Sequence, residues 1–409
     1  MISLLVRRPA FARLFAAGTI SLVGDWLTFV AVSVLAAARG DGALAIVGVL
    51  AAHALPGALA SPLAGVLVDR FDRRALLLWA AMAQTALTLG MAAAAYQGSI
   101  PTVQLVLLAR SAVAAITPPG ETAALRHVVE PDELLPANAL VASTWSVAYV
   151  AGMALGGVLA MLGPTLAILL DALTFMAAAA LVATLPRLPP ARLGAAARGA
   201  RGLSADLAAA LAHARARPPL LRATFAKVPV AVAGGGAWLA LNLAAATLHP
   251  LGSAALSLGV LQAVRGAGTG IGPLLATALA RRGLPRRRLA AAAYLLAFTG
   301  MLTFAHLRAW TALLAAALAW GAGSGANWVL SQSALQRRAG DRYIGRLAAL
   351  DELAVAGSTC GGAALSAWLI DRGVSVERAT LVLVAAGALT WALLVVGTRA
   401  DRRAVGEEL

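Results

Sequence analysis

The sequence predicts an all-α integral membrane protein, with twelve transmembrane helices in two pseudo-symmetric six-helix halves. Three observations carry this expectation: an apolar fraction beyond any soluble domain, twelve apolar stretches of bilayer length, and basic residues gathered in alternate gaps. Of 409 residues, 60% are hydrophobic and 12% charged, against roughly 45–50% and about 25% in an ordinary soluble domain. Mean hydropathy is +0.82, more than soluble cores of this size can hide, so the excess must face lipid. A soluble enzyme is thereby excluded.

A helix crosses the hydrocarbon core with about 20 mostly apolar residues at a rise of 1.5 Å each. The first stretch, 11–37, follows Arg7, Arg8 and Arg13 and contains Asp25. The N-terminal charge is that of a signal-peptide leader, but the apolar stretch is too long and carries an acid, which predicts an uncleaved first helix. The second, 43–68, runs into a basic gap, and the third, 75–96, leaves it. The fourth, 101–120, holds Arg110 and ends at Pro118 and Pro119; the fifth and sixth cover 138–161 and 165–185. In the second half the stretches are 224–248, 254–280, 289–306, 309–331, 346–369 and 376–398.

Threading these spans with the N-terminus inside places Arg39, Arg308, Arg372 and Arg378 outside and Arg110 and Arg265 mid-span, and puts every other basic residue inside or at an inner helix end. That is the positive-inside pattern. It accounts for a net charge of +15 and argues against nucleic acid as a partner, for which the charge would gather on one face. Both termini are expected in the cytoplasm, with the protein in a bacterial cytoplasmic membrane. Lys227 is the one lysine, and arginine supplies the rest of the basic residues.

The expected domains are a first half at 1–186, a cytoplasmic linker at 187–223 and a second half at 224–409. Within the linker, Ser204 could cap a short helix with Asp206 in its first turn, Arg215 and Arg217 near its end and Pro218 stopping it. Leu207 and Leu211 suit either a helix lying on the inner surface or a solvated segment. Shifting the chain by 210 residues aligns 122–157 with 332–367, with seven identities that include Ala124/Ala334, Leu125/Leu335, Gly152/Gly362 and Leu155/Leu365. Parallel repeats of this kind are built around a site near the bilayer midplane.

The gap after the second span reads Gly65-Val66-Leu67-Val68-Asp69-Arg70-Phe71-Asp72-Arg73-Arg74. It resembles the loop signature of the major facilitator superfamily, Gly-x-Leu-x-Asp-Arg-x-Gly-Arg-Arg, with Asp72 in place of the usual glycine. Gly24-Asp25-Trp26, Pro136-Ala137-Asn138-Ala139-Leu140 and Gly345-Arg346 resemble its enterobactin-exporter and macrolide-efflux branch. The resemblance implies a secondary transporter, with Gly65, Asp69, Arg70, Arg73 and Arg74 as a conformational latch. Physically, Gly65 would let two helices approach, and Asp69 could receive an arginine or a helix N-terminus. The arginines could equally serve topology alone. In the fifth span, Gly152-Met153-Ala154-Leu155-Gly156-Gly157 resembles the antiporter signature Gly-Pro-x-x-Gly-Gly, with Met153 in place of proline; close helix packing is the alternative reading of these glycines.

An ionisable group at a helix centre costs at least about 2.5 kcal/mol on insertion scales, so each is a functional candidate. Asp25, Arg110, Asp171 and Arg265 are the four. In the fold that the resemblance implies, Asp25 and Arg110 would share the cavity wall and couple protons to substrate; permanent Asp25–Arg110 or Asp171–Arg265 pairs are the structural alternative. Asn242 and Asn327 are neutral polar candidates in the second half, beside Trp238, Trp320, Trp328 and Gln332. Asp351 and Glu352, at the inner end of the eleventh span, are expected to be solvated or paired with Arg346, and Glu121, after Pro118 and Pro119, is read likewise.

No metal is expected, since the single cysteine, Cys360, and five scattered histidines form no ligand pattern. No cofactor is expected either: the chain has no Gly-x-x-x-x-Gly-Lys-Ser/Thr loop, which excludes ATP-driven transport within it. The resulting expectation is a monomeric exporter of a small amphiphilic compound, of drug or siderophore type, working by proton antiport across the lipid bilayer. An uncoupled facilitator or lysophospholipid carrier, a membrane-embedded enzyme and a non-transporting scaffold are the alternatives. The topology is testable directly. A reporter fused after Leu409 or within residues 190–203 should read as cytoplasmic, and a periplasmic signal at either site would refute the twelve-span threading.

Overall fold

Where the chain changes direction, proline and glycine set the break. The computed structural model describes residues 2–38, 42–189, 200–248, 251–306, 309–340 and 343–404. In them α1 (Ile2–Arg7), α2 (Pro9–Ala38), α3 (Ala43–Arg70) and α4 (Arg73–Gln97) are followed by α5 (Ile100–Ala114) and α6 (Thr117–Val128). Proline lacks a donor and its ring clashes with the carbonyl four residues back, so Pro118 and Pro119 stop α5 at Ala114 and divide one span into two helices. After a 3-10 turn at Pro131–Glu133 come α7 (Leu134–Leu162) and α8 (Pro164–Ala183).

The remaining helices are α9 (Ala200–Arg215), α10 (Pro218–Phe225), α11 (Val228–Leu248), α12 (Ala254–Arg281), α13 (Arg286–His306), α14 (Trp310–Arg338), α15 (Ile344–Asp371) and α16 (Val376–Ala404). Pro229 repeats the break, since its clash falls on Phe225, where α10 ends. The Ala226 carbonyl beside this break accepts from the Tyr294 hydroxyl and from Asn327 Nδ2.

Ten segments, with α5–α6 and α10–α11 each counted as one, are long and apolar enough to cross a membrane among the described residues. The chain is thus an all-α, multi-pass membrane protein. Of the twelve expected spans, α12, which carries Arg265, and α13, which opens on Arg286, Arg287 and Arg288, fall outside those ten.

The chain forms two units: Met1–Ala197 with Asn242–Ala263, and Arg198–Leu241 with Val264–Leu409. In the first, α2 packs on α7 and α8, α4 on α8, and α5 on both α3 and α4. In the second, α13 packs on α14 and α16, while α11 meets α15 and α16, and α12 meets α14, through glycines. The pairing scheme is the same in both, which gives the repeat read from the sequence a structural counterpart. Gly152 and its repeat partner Gly362 do the same work: a Cβ on Gly152 would lie 2.7 Å from the Val23 carbonyl oxygen, and one on Gly362 would lie 2.3 Å from that of Val232.

Two sequence expectations need correction. Ser204 does not cap the linker helix, because α9 begins at Ala200. Nor is that helix a solvated segment: Ala210 and Ala214 join Leu220, Leu335 and Leu347 in a core under it, and His213 stacks on Tyr343 with ring centroids 4.0 Å apart. The side chains of Ser204 and Asp206 lie outside the described residues.

At the start of α7, Arg8 Nε donates to Glu133 at 2.8 Å and its Nη1 lies 3.3 Å from Glu130. The Glu130 backbone N–H, and then Arg8, hold the Glu133 carboxyl below the usual range. In the second unit α12 and α14 touch backbone to backbone. A Cβ on Gly321 would lie 2.0 Å from the Arg265 carbonyl oxygen, and one on Gly272 would lie 2.0 Å from that of Ala322. Small residues permit this approach in a lipid medium, where packing drives helix association. Gly321→Leu should therefore lower the melting temperature of the purified protein by roughly 5 °C or more. Gly357→Ala, at a helical glycine with no atom within 4 Å of the new Cβ, should leave it unchanged or raise it slightly.

Candidate functional site

One arginine inside the first unit serves two acids. Arg110, on α5, is 1% exposed. Its Nη1 lies 2.7 Å from Asp171 Oδ2 on α8, and its Nη2 lies 2.9 Å from Asp25 Oδ1 on α2. Asp171 is fully buried and further held by Thr28 Oγ1 at 2.6 Å and Thr174 Oγ1 at 3.1 Å. The Asp25 side chain is 23% exposed. The Arg110 guanidinium also lies 5.4 Å from the Phe175 ring centroid. Of the expected alternatives, Asp171 is thus paired with Arg110; Arg265 lies in the second unit, with its guanidinium 5.0 Å from the Trp320 ring centroid.

Gly24 makes this arrangement possible. A Cβ there would stand 2.0 Å from Thr174 Oγ1 and 2.2 Å from Asp171 Oδ1, so only glycine lets α8 bring its acid against α2. The dipeptide Gly24-Asp25 therefore supplies both the space for one carboxylate and the second carboxylate itself.

Around Trp26, the residue after Asp25, runs an aromatic wall that the sequence did not reveal. The Trp26 ring is 4.6 Å from that of Tyr149, 6.1 Å from that of Trp145 and 5.4 Å from that of His53. Trp145 stacks on Tyr149 at 5.3 Å and is 44% exposed. Tyr149 donates to Gln262 Oε1 at 3.1 Å. The indole N–H of Trp26 and Nδ1 of His53 are buried without a hydrogen-bond partner among the described residues. A carboxylate beside stacked rings and unspent polar atoms can bind an amphiphile whose head is polar and whose body is flat or apolar.

The glycines of α7 close this wall against its neighbours. A Cβ on Gly152 would strike Trp26 at 2.6 Å, one on Gly156 would meet Leu27 and Val30 at 3.1 Å, and one on Gly157 would lie 2.9 Å from Gly259. Met153, fully buried, fills the place of the signature proline.

Comparison with known proteins agrees with this architecture. Residues 14–363 match the sequence profile of the Major Facilitator Superfamily. The chain belongs to the major facilitator superfamily. It is 27% identical, over 83% of its own length and 83% of the relative's, to the uncharacterized MFS-type transporter y4rN of Sinorhizobium fredii. Its fold is similar to that of a bacterial homologue of the human lysosomal transporter Spinster in an inward-facing, unoccupied conformation (TM-score 0.72, 14% identity, 95% of this chain and 97% of that one). It is also similar to a mutant of the nucleoside transporter NupG (TM-score 0.75, 11% identity, 95% and 99%). At these identities the likeness concerns the fold alone. As a member of the superfamily the protein is a transporter and not an enzyme, and no particular branch of the family is singled out.

In this superfamily member the loop signature is tied to the end of the first unit. Asp72, the departure from the family pattern, caps α4 by accepting from the Ala75 N–H at 2.9 Å and also accepts from the Leu188 N–H at 2.8 Å. A glycine could do neither. Arg73 is buried and donates to the Pro189 carbonyl, and Arg74 donates to that of Ala183. Arg70 is exposed, and the Asp69 side chain lies outside the described residues. Gly65 does not bring helices together, since no atom lies within 4 Å of a Cβ placed there.

Of the remaining candidates, Asn242 falls in the first unit and Asn327, Asp351 and Glu352 in the second. Asn327 and Asn242 are both buried. Asp351 is neither solvated nor paired with Arg346: Lys227 Nζ lies 2.5 Å from its Oδ2, 3.2 Å from Gln332 Oε1 and 3.8 Å from the Trp328 ring centroid. Glu352, the next residue, is exposed.

Removing one partner of a buried ion pair costs about 3–5 kcal/mol, because it leaves an uncompensated charge. Arg110→Ala strands two acids and should lower unfolding stability by about that amount. Arg110→Ala with Asp171→Asn should recover a large part of it. Arg110→Lys should not, since one ammonium cannot fork between two carboxylates as a guanidinium does. Thermal unfolding of the four proteins in one detergent checks this.

Proposed function

We propose that the protein is a proton-coupled exporter of small amphiphilic compounds, working by alternating access from a bacterial cytoplasmic membrane. In this reading α12 and α13 complete twelve spans, the halves are 1–186 and 224–409, and both termini are cytoplasmic. One observation carries the coupling. Arg110 is divided between a sealed acid, Asp171, and a partly exposed one, Asp25. A carboxylate's affinity for a proton depends on whether a guanidinium stands beside it and on how far it is desolvated. A conformational change that moves α2 against α5 alters both, so proton binding at Asp25 and the conformational state become thermodynamically linked.

The substrate side of the cycle falls to Trp26, which follows Asp25 in the chain, and to Trp145 and Tyr149, whose rings pack on it. Asp69 and the arginines after it act as a latch in this reading, and Gly152, Gly156 and Gly157 hold α7 against its neighbours in one of the alternating states. The tight glycine contacts on α7 support that assignment.

The test is transport in proteoliposomes across a compound panel, with and without a pH gradient. Asp25→Asn should abolish transport driven by the gradient and keep substrate binding within about threefold, because the amide imitates the protonated acid. Parent-like response of that variant to the gradient would remove Asp25 from the coupling role.

A further inference from the structure

In the first unit Glu121 is an acid without an ion-pair partner among the described residues, and it faces a cavity. Pro118 and Pro119 end α5 and start α6 one turn before Glu121, which turns its side chain toward α2. A Cβ on Gly18 would lie 2.5 Å from Glu121 Oε1, so the carboxyl rests on a glycine surface of α2. Beside it is a cavity of about 170 Å³ between α2, α6 and α7. Phe11, Phe15, Leu22 and Val141 give it an apolar body, and Thr19 and Asn138 give it polar edges. Among the described residues Glu121 is the one ionisable group lining it. Among the described residues Glu121 takes part in no ion pair, in contrast to Asp25 and Asp171, which share Arg110.

The repeat shows what such a place accepts. At a shift of 210 residues, Ala17, Pro118, Thr122 and Val141 of the first unit correspond to Lys227, Trp328, Gln332 and Asp351 of the second. Those four residues of the second unit are in mutual contact around the Lys227 ammonium, which lies against Asp351, Gln332 and the face of Trp328. Lys227 is itself an amphiphilic cation, four methylenes ending in a charge. In the first unit the position of that lysine is Ala17, beside Gly18 of the cavity wall, and the counterparts of its three partners, Pro118, Thr122 and Val141, line the cavity.

We propose that this cavity is a binding site for an organic cation, with Glu121 as its counter-ion and the phenylalanine-lined body taking the apolar part of the ligand. The site is separate from the rings at Trp26, Trp145 and Tyr149 and goes beyond the exporter reading above, on which it rests only for the cargo role of the cation. The attraction has a physical basis. A half-buried carboxylate without a partner carries an unmet electrostatic demand, and aromatic rings favour a quaternary ammonium through their faces.

The probe is radiolabelled benzyltrimethylammonium, measured by equilibrium dialysis against the purified full-length protein in detergent. No gradient is involved, so failure of coupling through Asp25 would leave this result unaffected. The parent should bind saturably, Glu121→Gln should bind at least tenfold more weakly, and Glu352→Gln, at an exposed acid of the second unit, should bind within twofold of the parent. Neopentylbenzene, the uncharged isostere, should not compete at equal concentration. On the parent protein, independently of any variant's folding, benzyltrimethylammonium should slow labelling of Glu121 by dicyclohexylcarbodiimide, read by mass spectrometry of the labelled peptide. The proposal is overturned by absence of saturable binding to the parent, by parent-like binding to Glu121→Gln, by an equal loss of binding in Glu352→Gln, or by unprotected labelling of Glu121.

Discussion

Two acids and one guanidinium, brought together away from water, set the terms for the first unit. Charges at this depth are tolerable only when each is paired and hydrogen-bonded, and Arg110 cannot satisfy Asp25 and Asp171 equally. Asp171 takes the larger share: it is fully buried, and two threonine hydroxyls complete its shell. Asp25 receives a single contact from the arginine and keeps part of its surface open. The packing follows from that inequality. Gly24 has no side chain because Asp171 and Thr174 occupy the space, and α2 and α8 lie together along their length for the same reason. A fixed pair and an exchangeable acid thus share one arginine, which joins the demands of folding to those of transport.

The second unit has the same helix pairing and a different electrostatic solution. Its acid, Asp351, meets a lysine instead of an arginine, and its mid-span arginine, Arg265, lies over a tryptophan. Equivalent backbones therefore need not carry equivalent chemistry. What the two repeats share is the set of close approaches, as at Gly152 and Gly362, where a carbonyl of the neighbouring helix occupies the space a side chain would take. Backbone contacts of that kind tolerate one residue type, whereas side-chain sites can diverge while the helices stay in place.

That distinction explains what could be read from the sequence. Ten of the twelve apolar spans and the prolines of the fourth were legible because each is a property of a short stretch: Pro118 and Pro119 determine a helix end without reference to any other part of the chain. The candidate acids were legible because an acid in an apolar span stands out wherever it points. Partners were not, since pairing depends on the rotation of each helix about its axis; Asp171 could be set against Arg265 on paper, and Asp351 against Arg346. Trp26, Trp145 and Tyr149 were missed for a related reason. In a membrane sequence an aromatic residue usually signals an interface anchor, and only the fold shows Trp145 and Tyr149 stacked together with their edges on Trp26. The role of Asp72 as a cap for α4 was hidden by comparison with a family pattern that has glycine there, although Asp followed by the start of a helix is a capping signal in its own right.

Lysine usage in this chain carries a final piece of evidence about the second unit. Arginine fills every basic position except Lys227, so a lysine there runs against the habit of the whole sequence. The geometry gives a reason. Arg110 faces two carboxylates, from α2 and α8, and a planar fork suits that task. Lys227 instead faces one carboxylate, one amide oxygen and one indole face, from α14 and α15, converging on a single point. A compact ammonium on a flexible stem can meet all three at once, while a guanidinium of fixed plane would have to leave one of them. The two basic residues are therefore not interchangeable: each is the cation whose shape matches the number and directions of its partners.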